Sequence, residues 1–172
     1  MGCGKTATGW RLAQKIGWQW FDTDKLIEHR YCKNISELFE EIGEEKFREI
    51  EHKILLELAD FENIVISCGG GFPCFNNNVE IIKNAGTTFY LQETPENLFE
   101  RLKKAKVERI LLKNKNENEL KNYIFETLLK REKFYQQADF SIKVNENFGH
   151  IDEILEKLKV KTIQSSKRTI IN

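Results

Sequence analysis

The opening of the chain constrains its fold more than any other stretch. The sequence begins MGCGKT, in which Gly4, Lys5 and Thr6 fit the last three positions of the phosphate-binding pattern G-x-x-x-x-G-K-[ST]. In that pattern the backbone N–H groups at a helix N-terminus hold phosphates, the lysine reaches the outer phosphates and the hydroxyl ligates Mg²⁺. A Gly-Lys-Thr triplet is also compatible with a flexible N-terminal tail. The residues that follow therefore decide whether the triplet belongs to a folded site.

Two adjacent elements favour a folded site. Residues 6–16 carry apolar side chains at helical spacing, and Gly17 stands where a helix C-terminal glycine is expected. A helix that begins at the triplet is the context that a phosphate loop requires. Residues 18–21 are short and aromatic-rich, which is typical of a buried strand, and Asp22 and Asp24 follow at its end. In open α/β sheets this edge is where ligands bind.

The rest of the chain alternates between predicted helices and strands. Further strands are expected at 64–67, 87–91 and 140–144, which makes four, and helices within 27–38 and over 44–58, 76–85, 120–135 and 151–158, with another helix beginning at Thr94-Pro95. Residues from 159 onward are polar and expected to be frayed. This alternation predicts a parallel sheet with helices on both faces. Because the loops after parallel strands gather at one edge, the triplet, the two aspartates and Gly69-Gly70-Gly71 are expected to converge.

Composition narrows the class of protein. A length of 172 residues suits one domain spanning residues 1–172. Basic and acidic residues both number 27, so the net charge of zero gives no reason to expect nucleic-acid or membrane binding. The four cysteines form no C-x-x-C pair and no apolar run approaches the length of a membrane span, so a cytoplasmic protein with free thiols is expected. The three histidines match no catalytic pattern and are expected at the surface.

Six segments, in their order and spacing, resemble the shikimate kinase family. They are Gly-Lys-Thr at 4–6, Phe-Asp-Thr-Asp at 21–24, Gly-Glu-x-x-Phe-Arg-x-x-Glu at 43–51, Ser-x-Gly-Gly-Gly at 67–71, Arg-x-Leu-Leu at 109–112 and Arg-x-x-x-Tyr-x-x-Ala-Asp at 131–139. The match covers most of the chain. The resemblance implies a nucleoside-kinase-like P-loop fold with a parallel sheet. It also implies transfer of the γ-phosphate of ATP to the 3-hydroxyl of shikimate, on the route to chorismate.

The resemblance further implies which residues bind MgATP. The ATP site would comprise Gly2, Cys3, Gly4, Lys5, Thr6, Ala7, Arg101 and Arg109. Lys5 would neutralise the β- and γ-phosphates, Arg101 would pack on adenine, and Arg109 would fold over the transferring phosphate as part of a lid at about 103–118. Thr6 would ligate Mg²⁺ directly, Asp22 would hold it through water, and Ser67 would share that shell.

A second set of residues would bind shikimate. Asp24 matches the carboxylate that orients or deprotonates the acceptor hydroxyl, so Lys5, Asp24 and Arg109 are the expected catalytic residues. Arg48 and Arg131 match the pair that grips the substrate carboxylate, a task suited to the planar guanidinium. The glycines at 69–71 would line the same pocket, with the Gly70 N–H donating to a substrate hydroxyl.

Two features depart from the family pattern. Ile110 stands where the family usually has proline after the lid arginine. The first glycine of the phosphate loop would fall upstream of Met1, together with the strand that feeds it, and in the family that strand lies in the middle of the sheet. We therefore expect this chain to lack a central strand, with unpaired N–H and C=O groups on its two neighbours, and the working protein to carry roughly ten further upstream residues.

Other interpretations remain open at this point. Asp22 and Asp24 could be helix caps, Arg48 and Arg131 solvated helix charges, and the three glycines a flexible turn. The same fold also serves kinases that act on gluconate or on nucleoside monophosphates, although the two arginines favour an acceptor with a carboxylate. A non-catalytic binding module is the alternative from a different class. The expected partners are shikimate and MgATP, with no nucleic acid or membrane, and the expected state is a monomer.

Overall fold

The computed structural model describes residues 2–104, 116–162 and 168–171. In these ranges helices and strands alternate along the chain, as the sequence predicts. The elements are α1 (Lys5–Ile16), β1 (Gln19–Asp22), α2 (Thr23–Tyr31), α3 (Ile35–Ala59), β2 (Ile64–Ser67), a 3₁₀ turn (Phe72–Cys74), α4 (Asn78–Ala85), β3 (Thr87–Gln92), α5 (Pro95–Lys104), α6 (Glu117–Tyr135), β4 (Phe140–Lys143), α7 (His150–Thr162) and β5 (Arg168–Ile171).

The strands form one parallel sheet in the order β1-β2-β5-β3-β4. Side chains alternate between its faces, so that Val65 of β2 contributes to one apolar core and its neighbours Ile64 and Ile66 to the other. The first core is completed by residues of α1, α5, α6 and α7, and the second by residues of α2, α3 and α4. Helices therefore cover both faces of the sheet, and the predicted three-layer α/β fold is confirmed.

The centre of the sheet contradicts three predictions. A fifth strand, β5, lies between β2 and β3, with Ile170 opposite both Ile66 and Thr88. Four strands and a frayed C-terminal tail were expected, but α7 continues to Thr162 and Ile170 is fully buried. Residues 169–171 of β5 are β-branched in sequence, which favours a strand, and its backbone pairs with both neighbours. The expectation that these two neighbours lack pairing partners is therefore wrong.

Most helix boundaries lie close to those predicted, and the exceptions have local causes. Gly17 ends α1 as expected, with its N–H donating to Ala13 O. α2 begins earlier, at Thr23, because the Asp22 side chain caps it. The two helices expected between 27 and 58 are instead α2 and a longer α3, which is kinked at Gly43, where φ is +78°.

The predicted surface position is wrong for one of the three histidines. His150, the first residue of α7, is only 1% exposed, whereas a surface position was expected. Its Nε2 lies 2.9 Å from Thr8 Oγ1 of α1. His29 is exposed as expected. Buried His150 therefore joins α7 to α1, a contact that no local pattern indicates.

The predicted lid falls mainly outside the described residues. Lys103 and Lys104 belong to the end of α5, and Asn116 caps α6. Residues 105–115, which include Arg109 and Ile110, lie outside the described ranges. Among the described helices, none has both the length and the apolar character needed to cross a membrane.

Candidate active site

The phosphate loop is built as the sequence predicts. α1 begins at Lys5, and the residue that caps it, Gly4, has φ +95°, a left-handed conformation that glycine adopts without strain. No side chain caps this end of α1, and the Thr8 N–H donates to Gly4 O over 2.9 Å. The N–H groups of the first helical turn are therefore directed to the position at which an anion would bind.

The Lys5 ammonium lies close to the carboxylates of Asp22, at the end of β1, and Asp24, in the first turn of α2. Its Nζ lies 3.1 Å from Asp24 Oδ2 and 3.6 Å from Asp22 Oδ2. Burial alone would lower the pKa of the Lys5 ammonium, but the Asp24 and Asp22 carboxylates raise it above its usual value. Lys5 is therefore a fixed positive charge beside the phosphate loop at neutral pH.

The two oxygens of Asp22 serve different partners. Oδ1 accepts hydrogen bonds from the backbone N–H groups of Asp24 and Lys25, at 3.1 and 3.3 Å, and so caps α2. Oδ2 accepts a hydrogen bond from Thr6 Oγ1 at 2.6 Å. Two roles are predicted for Asp22 as alternatives, that of a helix cap and that of a metal-site residue. They are compatible, because each role would use a different oxygen.

The donor set around Thr6 fits Mg²⁺. This ion prefers oxygen ligands, binds through one or two carboxylates together with nucleotide phosphates, and keeps several waters. The Thr6 hydroxyl and the Asp22 carboxylate, in contact beside the phosphate loop, are ligands of this kind. The described residues contain no cluster of three or more His, Cys, Asp or Glu that could hold a metal by themselves. The roles of both residues toward the metal remain predictions.

Ser67 has a structural environment that the sequence does not reveal. Its fully buried hydroxyl donates to Lys5 O at 3.1 Å and accepts from Trp20 Nε1 at 3.0 Å. A Cβ at Gly9 would lie only 2.2 Å from Ser67 Oγ, so the close approach of α1 to β2 requires glycine there. The hydroxyl proton of Ser67 is therefore used within the protein, and its share in the metal shell stays a prediction.

The three glycines after β2 allow charged groups to approach the backbone. A Cβ at Gly69 would lie 2.7 Å from Asp24 Oδ1, and one at Gly71 would lie 2.8 Å from Arg48 Nη1. Gly70 O accepts a hydrogen bond from Tyr135 Oη at 2.5 Å. The segment is thus fixed between α2, α3 and α6 and is more than the flexible turn that was one interpretation.

Arg48 is held by two carboxylates on its own helix. Its Nη1 lies 2.7 Å from Glu51 Oε2 and its Nη2 lies 2.9 Å from Glu44 Oε1. The Arg48 side chain is only 11% exposed, so it is not a solvated helix charge. Burial raises the pKa of Glu51, against the opposing effect of Arg48. Glu44 and Glu51 are not among the predicted site residues, although spacings of four and three residues on a helix indicate such pairs.

Arg131 and Arg101 approach the site from α6 and α5. Arg131 is close to Tyr135, whose pKa is raised by burial to about 12 against the opposing effect of that arginine. Arg101 Nη1 donates to Cys3 O at 3.4 Å. Its Nη2 lies 2.7 Å from Glu93 Oε2, an ion pair without the alignment of a hydrogen bond. Packing of Arg101 on adenine stays a prediction.

These groups share one cleft of about 1230 Å³, which exceeds the roughly 300–1,000 Å³ typical of a single small-ligand site. Its lining includes Gly2, Gly4, Lys5, Thr6, Ala7, Asp24, Arg48, Gly69, Gly70, Gly71, Arg101 and Arg131. The predicted convergence at one sheet edge is thus observed. Cys3 and Ser67 are buried and do not belong to this lining, and Arg109 lies outside the described residues. The cleft is large enough to accept two small molecules side by side.

Comparison with known proteins agrees with this geometry. The family model for shikimate kinase matches residues 1–162. Shikimate kinase of Azobacteroides pseudotrichonymphae is 47% identical over 161 residues, which cover 92% of this chain and 95% of that protein. The crystal structure of shikimate kinase from Bacteroides thetaiotaomicron matches with a TM-score of 0.88 and 40% identity, covering 92% of this chain and 94% of that one. Shikimate kinase from Acinetobacter baumannii in complex with shikimate matches with a TM-score of 0.81 and 30% identity, covering 95% and 88%. The chain therefore belongs to the shikimate kinase family.

Proposed function

We propose that this chain transfers the γ-phosphate of ATP to the 3-hydroxyl of shikimate. The observation that carries the proposal is a single cleft whose lining includes the phosphate loop, Asp24 and the largely buried Arg48. Membership of the shikimate kinase family supports both the reaction and the substrate. One of the matching structures is a complex with shikimate, and its sequence is 30% identical.

The residues of the phosphate loop would hold ATP. The N-terminus of α1, from Gly4 to Ala7, provides backbone N–H groups for phosphate oxygens, and Lys5 provides a permanent positive charge. Thr6 and Asp22 would hold Mg²⁺, which when bound would neutralise charge on the β- and γ-phosphates. Phosphoryl transfer demands mainly positioning and positive charge, so these groups supply what the donor side of the reaction needs.

The acceptor side is formed by Asp24 and the two arginines. Asp24 is 39% exposed, and its Oδ2 contacts Lys5, so it can accept a hydrogen bond from an incoming hydroxyl next to the phosphate site. Arg48 and Arg131 line the same cleft and present guanidinium groups suited to bidentate binding of a carboxylate. A substrate with a hydroxyl and a carboxylate at opposite ends fits this arrangement.

We further infer that the enzyme works in the cytoplasm as a monomer. All four cysteines are free thiols, which agrees with a reducing compartment. Light scattering of the purified protein would measure its mass directly, and a dimer would contradict the inferred state.

A coupled assay of ADP release tests the proposed reaction. Shikimate and gluconate are compared as acceptors, because the arginine pair alone would accept either carboxylate. We expect turnover with shikimate to exceed turnover with gluconate by a wide margin. Asp24→Asn should lower kcat with shikimate by at least about 100-fold, the usual range for loss of a catalytic acid or base.

The control for that variant is Asp152→Asn, which removes an exposed carboxylate that pairs with Lys15 at the surface. It should retain the activity of the unchanged chain. Preference for gluconate would favour a related kinase. Shikimate binding with no MgATP-dependent turnover would favour a non-catalytic binding module.

A further inference from the structure

We propose that Phe75 is a positioning residue that fixes the plane of the Arg48 guanidinium for the substrate carboxylate. This inference rests on the proposed function, because it assigns Arg48 to a carboxylate-bearing substrate. Arg48 Cζ lies 4.2 Å from the centroid of the Phe75 ring, within the range of a cation–π contact. The rings of Phe39 and Phe47 lie farther away, at 5.9 and 5.5 Å.

Burial in an apolar core does not explain why a phenylalanine stands at position 75. Its side chain is 37% exposed, and it belongs to neither of the two apolar cores formed by the described residues. Phe47, by contrast, is 3% exposed and Phe39 packs against the same core. The ring of Phe75 is only partly removed from water and lies outside both cores, so its contact with the guanidinium is the interaction that distinguishes its position.

The backbone that carries Phe75 is tied to the helix that carries Arg48. Asn76 Nδ2 donates to Arg48 O at 3.0 Å. One turn farther along α3, His52 Nδ1 lies 2.7 Å from Asn78 Oδ1. Asn76 and Asn77 both have positive φ, at +50° and +57°, a conformation that asparagine tolerates better than most residues. The loop from 75 to 78 is therefore fixed over the turn that presents the guanidinium.

A cation–π contact does not use the N–H donors of an arginine, so these donors stay available for a carboxylate. In the described contacts, Arg48 uses Nε, Nη1 and Nη2 to donate to Glu44 and Glu51, which occupies three of its five N–H groups. The remaining N–H groups lie in the plane of the guanidinium, and its Cζ lies over the ring of Phe75. Phe75 thus restrains rotation of the group without competing for the carboxylate.

The test compares Phe75→Leu, which keeps an apolar side chain without the ring, with Phe75→Tyr, which keeps the ring. For Phe75→Leu we expect the KM for shikimate to rise by about 3- to 30-fold, the range of a partly desolvated cation–π contact. Its KM for ATP and its kcat should stay within about twofold, because the phosphate loop is untouched. Phe75→Tyr should behave like the unchanged chain.

Phe61→Leu is the matched control. Phe61 is another partly exposed phenylalanine, at 50%, and its ring pairs with Phe21 away from the cleft lining. Its replacement should leave the KM for shikimate unchanged. An equal rise in both leucine variants would overturn the proposal, because it would reflect a general loss of packing.

The methyl ester of shikimate separates a positioning role from a structural one. The ester lacks the negative charge that Arg48 binds, so Phe75→Leu should change its binding by less than about twofold. A loss for the ester as large as that for the acid would contradict the proposal. A fall in Tm of more than about 5 °C in Phe75→Leu would contradict it too, since that would assign Phe75 to the stability of the fold.

Failure of the proposed function is visible in a different measurement. If the unchanged chain shows no turnover of shikimate, the reaction assigned above is wrong. The role of Phe75 is then read from shikimate binding, monitored by the fluorescence of Trp10 and Trp20, which both line the cleft. Binding weakened by the same factor in Phe75→Leu supports the proposal, and equal binding overturns it.

Discussion

The hydroxyl of Thr6 donates to Asp22 Oδ2 over 2.6 Å and joins the first turn of α1 to the end of β1. The other oxygen of the same carboxylate caps α2. One side chain therefore connects the phosphate loop to the segment that carries Asp24. This double use allows the charge of Asp22 and its hydrogen-bonding capacity to be separated by substitution.

Asp22→Asn should impair catalysis while leaving the fold intact. Asparagine is as good a helix cap as aspartate, so α2 should keep its N-terminus and Tm should change by only a few degrees. The neutral amide lacks the charge expected to hold Mg²⁺, so kcat/KM should fall by about 10- to 100-fold and the Mg²⁺ concentration for half-maximal rate should rise. Titration of activity with Mg²⁺ checks both effects. An unchanged Mg²⁺ requirement would remove Asp22 from the metal site.

Arg48→Lys should weaken shikimate binding without affecting ATP. Lysine keeps the positive charge but cannot form the planar fork that meets Glu51, Glu44 and a carboxylate at once. Losing one or two charge-assisted hydrogen bonds should raise the KM for shikimate by about 10- to 100-fold. Arg30→Lys, in an exposed pair with Glu57, is the control and should be silent. Equal KM values for shikimate in both variants would contradict the role of Arg48.

The sequence indicated where the site lies better than how its parts are held. Strand alternation and the glycine segment placed Lys5, Asp24 and Gly69 at one sheet edge, because topology brings the ends of parallel strands together. The cation–π contact of Arg48 with Phe75 and the close approach of Gly9 to Ser67 depend on distances between elements. No periodicity in a single sequence encodes such distances.

The central strand illustrates the same limit. β5 has only four residues and follows a polar stretch, so its local pattern predicts part of a frayed tail. Its strand conformation depends on β2 and β3, which pair with it on both sides. Tertiary context decides the structure of so short a segment, and propensity alone does not.

Stability should fall at mildly acidic pH because of His150. Its Nδ1 lies 3.2 Å from the Asn145 N and 3.3 Å from Asn145 Oδ1, and its Nε2 lies 2.9 Å from Thr8 Oγ1. Burial, together with the nearby Arg101, lowers the pKa of His150 below its usual 6.5. The unfolded chain then binds more protons than the folded one below pH 6.5. The stability that His150 contributes is complete above that pH and is lost as the pH falls through the lowered pKa.

Thermal unfolding between pH 7.5 and 5 measures this effect. The unchanged chain should lose Tm as the pH falls, and His150→Gln should show a flatter profile over the same range. His29→Gln alters an exposed histidine and should retain the profile of the unchanged chain. If all three profiles coincide, protonation of His150 does not contribute to acid sensitivity.

Ile170→Ala should destabilise the protein strongly, because β5 occupies the middle of the sheet. Ile170 is fully buried and packs in the core beneath α2, α3 and α4. Truncation of a buried isoleucine costs about 2–5 kcal/mol, which corresponds to a fall in Tm of about 5–15 °C for a chain of this size. Leu129→Ala, at a position that is 69% exposed, is the control and should change Tm by less than about 2 °C.

Hydrogen exchange gives a second measurement: the amides of β2 and β3 that face β5 should lose protection in Ile170→Ala. Equal Tm values for the two alanine variants, with unchanged exchange, would show that the C-terminal segment does not complete the sheet in solution.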